Sequence, residues 1–284
     1  MKTIFQFNET EYSADLQSGV SIARLLEIEN SDFQIENIKT QRVPFVEGDF
    51  TGDVSAGGSC NVDVLKINPH CATTHTETLL HILNRTQWTQ SPLEDVSIAS
   101  LNTPIFIACV LVTIKPVDST RAKKGDESYR PTMGENDLVI SADVLEAALD
   151  GLDFQTLEIE SPFAIVVRTS SSEAWAFDSK PPVPYFTNEA MEFISQSACQ
   201  HLLVDLPSVD RRDDDGVLSN HHLFWNVDPK QEGPLDDFRV DRTITEMVSV
   251  PATLTDGIYL LDLQLVPLDT DASLSRPVLI RATA

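Results

Sequence analysis

The sequence predicts a mixed α/β fold rich in strand, and three observations predict it. Short apolar, β-branched runs recur along the chain. Two segments carry helix caps followed by helix formers or one-faced apolar spacing. One of those helices leads directly into a strand, the succession of a β/α fold.

The strands come in order. Val62 to Ile67 alternates, with Val62, Val64 and then Leu65 and Ile67 apolar, the pattern of a half-buried strand. Ile105 to Ile114 is apolar and β-branched, with Cys109 inside it, so it reads as a buried strand and Cys109 as core. Phe163 to Arg168, Leu202 to Leu206, Ile258 to Val266 and Val278 to Arg281 look similar. For the helices, Ser141 is an N-cap before Ala142–Leu149, with Asp143 in the first turn and Asp150-Gly151 as the stop. Thr187 caps a second helix in which Ala190, Phe193, Ile194 and Ala198 share one face. Residues 117–134, 171–184 and 228–237 read as loops, and none reads as an interdomain linker. Residues 1–284 are therefore expected to form one domain. Gly57-Gly58-Ser59 lacks the spacing of a dinucleotide-binding turn and is read as a plain turn.

Composition narrows the function. At 284 residues, with 42% hydrophobic and 23% charged, the chain has ordinary globular usage. A net charge of −24 repels phosphate backbones and anionic lipid heads, so neither nucleic acid nor a membrane is expected as partner. Arg121-Ala122-Lys123-Lys124 is too short a basic run to change that. The same charge lowers the cost of holding a divalent cation. The four cysteines, Cys60, Cys71, Cys109 and Cys199, show no CxxC pairing. The opening Met1–Glu9 turns polar too soon for a secretory signal, and Pro104 to Ile114 falls short of the roughly 20 residues a membrane helix needs. A reducing cytoplasm is the expected location.

Histidine carries the chemistry. Of six in all, three fall in His70-Cys71-Ala72-Thr73-Thr74-His75-Thr76-Glu77-Thr78-Leu79-Leu80-His81, and His221 and His222 are adjacent. Imidazole, thiol and carboxylate together are the donors that Zn²⁺ or Mn²⁺ selects. In an extended segment residues i and i+2 point to one side, so His75 and Glu77 can face one ion. Cys71 joins them only if the chain turns or stays extended across the site. His201 precedes a buried strand and is read as structural. Asp210-Arg211-Arg212-Asp213-Asp214-Asp215-Gly216 lacks the spacing of a calcium loop and is read as a solvated turn. No Gly-x-Ser-x-Gly elbow occurs. Cys71 as nucleophile ranks below Cys71 as ligand, because a neighbouring ion would capture its thiolate.

Thr74-His75-Thr76-Glu77 followed by His81 resembles the HxGTHxDxPxH signature of the putative cyclase family, which includes kynurenine formamidases and isatin hydrolases. Downstream, Leu202–Asp210, Ser219–Phe224, Thr243–Met247, Gly257–Pro267 and Arg276–Val278 resemble further segments of that family in the same order. The resemblance implies a swivelling β/β/α type of domain and metal ligands at Cys71, His75, Glu77, His221 and Glu246, with His70 and His222 as substitutes. It implies catalytic roles for His81 and Glu246, with His81 handling the proton of an attacking water. It also implies one or two divalent ions, Zn or Mn, a small-molecule amide substrate (an N-formyl arylamine or a cyclic amide) and a homodimer or homotetramer. Cys71 and Glu77 stand where the family has His and Asp. A non-catalytic metal- or ligand-binding relative is the alternative. Residues 226–242 are expected to form an extra loop near the site.

Overall fold

The computed structural model describes residues 1–28, 39–84, 96–101, 104, 106–152, 159, 161–169, 175, 182–228 and 238–284. The first part of the chain makes the hairpin β1 (Lys2–Phe7) and β2 (Thr10–Asp15), then β3 (Val20–Ser21). An arm follows, from β4 (Gln41–Pro44), β5 (Val46–Glu47), β6 (Phe50–Thr51) and β7 (Asp63–Lys66). Helix α1 (Pro69–Ala72) leads into β8 (His75–Thr78). Then come β9 (Ile107–Ile114), β10 (Val117–Asp118), α2 (Ser119–Lys124), β11 (Leu138–Ile140), α3 (Ala142–Asp150) and β12 (Phe163–Thr169). The last part holds β13 (Tyr185–Phe186), α4 (Asn188–Gln196), β14 (Cys199–Val204), α5 (Ser219–Trp225), β15 (Thr243–Glu246), β16 (Gly257–Asp262), β17 (Ala272–Leu274) and β18 (Val278–Thr283).

Among the described residues one sheet dominates, in the order β1-β2-β18-β16-β9-β12-β14-β15-β8-β17 with β3 on β18. Its centre, β9-β12-β14-β15, is parallel. Flanking strands β16 and β8 run antiparallel to it. The architecture is the mixed, strand-rich α/β arrangement expected.

Why the central runs are apolar throughout is visible in the packing. Successive side chains of a strand leave opposite faces of the sheet. Val110, Val112, Ile165, Val167, Leu202 and Val204 face one layer, with Leu145 and Leu149 of α3 and Ala190, Met191 and Ile194 of α4. Cys109, Leu111, Ala164, Val166 and Leu203 face the other, with Tyr259, Leu261, Val248 and Leu279. Both faces are covered, so no polar alternation is left. Glu127 joins the two helix starts. Its Oε2 accepts from the Ala142 amide at 2.8 Å and from the Thr187 hydroxyl at 2.6 Å, while Thr187 Oγ1 accepts from the Ala190 amide at 3.2 Å. The Ser141 hydroxyl turns instead to the Asp143 carboxylate.

Three expectations change. Val62–Ile67 is not half-buried. β7 pairs with β4 in a two-stranded ribbon, leaving Val43, Val64 and Leu65 about half exposed (54%, 48% and 50%). Residues 117–134 are not a plain loop, because the Asp118 carboxylate accepts the Thr120 amide at 2.8 Å and starts α2, which carries the basic run. The strand expected to Val266 stops at Asp262. Most of the expected loops 171–184 and 228–237, and of the expected extra loop 226–242, lies outside the described residues. No helix among the described residues is long and apolar enough to cross a membrane.

Leu203 is fully buried on the second face of the sheet. Leu203→Ala is expected to lower stability by about 2–5 kcal/mol, through lost transfer energy plus a cavity. A urea midpoint within experimental error of wild type would contradict this packing account.

Candidate metal centre

The site forms at the carboxyl end of the parallel strands, where α/β sheets place their ligands. Glu246 ends β15, and its antiparallel partner β8 begins opposite with His75, so His75 and Glu246 are paired in register. Glu77 lies two residues on, and the two side chains share the pocket side of β8 as the i, i+2 spacing predicts. Thr76, pointing the other way, meets Thr245 hydroxyl to hydroxyl at 2.7 Å.

Each imidazole is fixed from behind. His75 Nδ1 donates to the Thr73 carbonyl at 3.0 Å, leaving Nε2 with its lone pair. Thr73 is anchored by its hydroxyl on the Arg24 carbonyl at 2.8 Å, and the Thr74 hydroxyl donates to the Met247 carbonyl at 2.6 Å. His221 rides on α5 and donates from Nδ1 to Asp210 Oδ2 at 2.5 Å. The same Asp210 carboxylate accepts the amides of Asn220 at 2.8 Å and His221 at 3.2 Å, so it satisfies orphan donors of the helix start as well. The Tyr129 hydroxyl donates to its other oxygen at 2.8 Å. Glu246 Oε1 accepts the Val209 amide at 2.9 Å.

The pocket-facing atoms then converge with no partner. His75 Nε2 is 3.6 Å from Glu77 Oε1 and 3.6 Å from Glu246 Oε2. His221 Nε2 is 3.6 Å from Glu77 Oε1 and 3.7 Å from Glu246 Oε1. These separations are too long for hydrogen bonds. His75 Nε2, His221 Nε2 and both Glu77 oxygens are buried without a hydrogen-bond partner. Buried polar atoms are rarely left so. Donors set tetrahedrally at about 2.0–2.2 Å from one Zn²⁺ stand about 3.3–3.6 Å apart. The residues present therefore fit a divalent cation, and the backing of each imidazole by a carboxylate or carbonyl is the usual support of a metal ligand.

An outer set shares Glu77. Its Oε2 lies 3.6 Å from His70 Nδ1 and 3.4 Å from His81 Nε2. The turn Leu79–His81, started by Thr78, brings His81 back over Glu77. The two rings stack at 4.3 Å between centroids.

Electrostatics carry the mark of crowding. Burial pushes the Glu246 carboxyl up to about 8, helped by the charge of Glu77. Burial opposes ionisation of Glu77 too, but His81, His221 and His75 hold its carboxyl well below the usual range. Burial likewise opposes charge on His221, and Asp210 and Glu77 override it to raise this imidazole well above its ordinary value.

The sequence-derived candidates divide as follows. His75, Glu77, His221 and Glu246 meet in the inner set, and His81 stands at its edge. Among the described residues His70 groups with Glu77 and His81, and His75 with Glu77 and Glu246, while His221 is placed at the inner set by its 3.6 and 3.7 Å distances to Glu77 and Glu246; Cys71 joins neither group. The reason is local: Asn68 caps the His70 amide and Pro69 starts a one-turn helix, in which neighbouring residues point about 100° apart. Only one of the two can face Glu77. Burial, then the Glu246 charge, pushes the Cys71 thiol up. His222 turns away, with Nδ1 on the Val227 carbonyl at 3.1 Å, beside Arg130 and Asn188 in a different cavity. His201 stays apart, buried with Nδ1 2.7 Å from the Thr243 hydroxyl, and burial lowers it to about 4. The segment read as a solvated turn is not one at Asp210 and Asp214, which are 3% and 6% exposed. Asp214 is held by the Gly216 and Leu218 amides at 2.9 and 2.7 Å. Sequence reasoning missed Asp210 and Asp271 as partners of the histidines. An acid eleven residues before His221 carries no periodic signal.

Fold and site define a class: a mixed sheet with a buried histidine–carboxylate donor set at the end of its parallel strands. The chain belongs to the putative cyclase family, whose family match spans residues 15–211. Kynurenine formamidase of Bacillus mycoides (strain KBAB4) is 28% identical over 105 residues, covering 37% of this chain. The alignment spans about half (49%) of that relative's length. Among solved structures, a protein described as a novel cyclase superposes with a TM-score of 0.60 at 14% identity, over 94% of this chain and 90% of its own. Isatin hydrolase A of Labrenzia aggregata gives 0.57 at 11%, over 92% and 93%. A chain described as a potential metal-dependent hydrolase with cyclase activity gives 0.54 at 12%, over 93% and 98%. These structural likenesses are of fold.

Two outcomes are expected. Glu246, pushed up to about 8 by burial, holds a proton at pH 7 in the metal-free protein, and Asp210 and Glu77 favour the protonated form of His221. Ions need their lone pairs, so adding Zn²⁺ or Mn²⁺ at pH 7 releases protons, and affinity weakens as pH falls. Calorimetric titration in buffers of different ionisation enthalpy measures the release; no buffer dependence contradicts it. Asp210→Ala is expected to weaken metal binding by roughly 10–100-fold, read by competition with a chromophoric chelator.

Proposed function

We propose that the chain is a metal-dependent hydrolase of a small amide, with an N-formyl arylamine or a cyclic amide as substrate. One observation carries this reading: His75 Nε2, His221 Nε2 and Glu77 Oε1 converge in a buried pocket with no hydrogen-bond partner, each imidazole braced from behind. The amide class is supported by the relatives, one a kynurenine formamidase and others isatin hydrolases.

His75, Glu77, His221 and Glu246 would hold the ion, Zn²⁺ or Mn²⁺. Bound there, it supplies Lewis acidity, lowering the pKa of water and steadying negative charge on a carbonyl oxygen under attack. The chain's own groups do the rest. Asp210 and the Thr73 carbonyl keep the two imidazoles in the ligating tautomer. Glu77 and Glu246 contribute the negative charge that balances the cation. His81 is 23% exposed in its side chain and directs Nε2 into the pocket while Nδ1 meets Asp271. It takes the proton of the attacking water and returns it to the leaving amine. That Nε2 lone pair can take a proton or an ion, not both, so the reading assigns one ion to the inner set.

Removal of metal with a chelator is expected to abolish hydrolysis of N-formyl arylamines, and resupply of Zn²⁺ or Mn²⁺ to restore it. His75→Ala and Glu77→Gln lose both metal and turnover, whereas His222→Ala retains metal. Metal bound at full stoichiometry with no turnover over a panel of amides, cyclic amides and esters would make the chain a non-catalytic binder instead. Absence of bound metal after resupply would remove both readings.

A further inference from the structure

Asp271 sits where no motif pointed, just before β17. Its backbone carbonyl accepts the Thr78 amide at 3.0 Å and the Thr78 hydroxyl at 3.3 Å. The next residue, Ala272, is paired with Glu77 across the β17–β8 ladder. Asp271 is thus tied to the strand that carries His75 and Glu77 and to the turn that carries His81.

Its side chain does something neither tie requires. A single oxygen, Oδ2, lies 3.0 Å from His70 Nε2 and 3.3 Å from His81 Nδ1. An aspartate carboxylate is ionised at ordinary pH and its oxygen can only accept. Both contacting nitrogens must then carry hydrogen. Whenever a ring is neutral, that leaves its lone pair on the other nitrogen, His70 Nδ1 or His81 Nε2, and these are the two atoms that face Glu77 Oε2.

We propose that Asp271 is a positioning residue that locks His70 and His81 as one tautomeric pair, with the basic nitrogen of His81 turned into the pocket. The inference rests on the hydrolase reading, which gives His81 the proton. In that step a water O–H bond breaks and its proton goes to His81 Nε2, while Nδ1–H stays on Asp271. The proton then leaves Nε2 for the departing nitrogen, and Asp271 remains ionised throughout. His70, stacked on His81 and held by the same oxygen, keeps the His81 ring from turning over.

Three measurements test this. Long-range ¹H–¹⁵N spectra of the imidazoles in zinc-loaded wild type at pH 8 should show His70 as the Nε2–H and His81 as the Nδ1–H form. The opposite form at either ring overturns the proposal. Asp271→Ala should lower kcat by roughly 10–100-fold, and Asp271→Asn, which keeps an acceptor oxygen, should lower it less. KM and the inner-set metal content should stay at wild-type values in both. In a His81→Ala background, Asp271→Ala should cost almost nothing further, because it acts through His81. A full additional loss there, or kcat falling only in proportion to metal content, assigns Asp271 a structural role and overturns it. So does a second tightly held ion that His81→Ala removes, since His81 would then be a ligand. If the Ala variant fails to fold, the Asn variant and the wild-type spectra decide. If wild type shows no amide turnover, the hydrolase reading fails on its own, and the spectra still decide the orientation.

Discussion

Two carboxylates buried side by side set the terms for this molecule. Glu77 and Glu246 are 1% and 4% exposed, and neither has solvent to carry its charge. Their surroundings shift them in opposite directions: imidazoles hold Glu77 down, whereas burial, with the charge of Glu77 behind it, pushes Glu246 up. An arrangement of this kind is costly without a cation, because isolated charges in an apolar interior lose their hydration. The groups around them act to fix direction rather than to neutralise. The Thr73 carbonyl, the Asp210 carboxylate and the Val209 amide each take one specific atom and leave the pocket-facing ones open.

The sheet makes this arrangement repeatable. Parallel β12, β14 and β15 end on one side, and the chain after β14 passes under the pocket through Val209 and Asp210 before α5 delivers His221. The left-handed Leu218, at φ 47°, turns the chain into that helix without a cap from its own side chain. Asp210 and Asp214 supply the missing acceptors instead. Asp210 and Asp214 thus link core to site, which explains why these two are buried while Asp213 and Asp215 between and beside them stay exposed.

Much of this was legible in the residues. The apolar runs read at 105–114, 163–168 and 202–206 fall on β9, β12 and β14 because a sheet covered on both faces favours such residues there, although β14 starts earlier, at Cys199, and ends at Val204, and the Thr187 cap marked α4. His75 and Glu77 could be placed together from a two-residue spacing alone. What stayed hidden was long-range. Asp210 reads as part of a solvated run because its partner is a helix that local pattern cannot place beside it. Asp271 lies 190 residues from His81, and only the pairing of β17 with β8 brings them together. His70 over Cys71 turned on a single turn of helix, which an extended reading of the segment does not contain. The exposed ribbon β4–β7 was misread for a related reason: alternation shows which residues share a face, not what covers it.

One feature of β8 reaches beyond its own contacts. It is flanked on both sides by antiparallel neighbours, β15 and β17, so the backbone bearing His75 and Glu77 has no free edge along which to slide. A shift of one residue would turn Thr76 and Thr78 inward and carry both donors to the far side. The centre is therefore present whole or not at all.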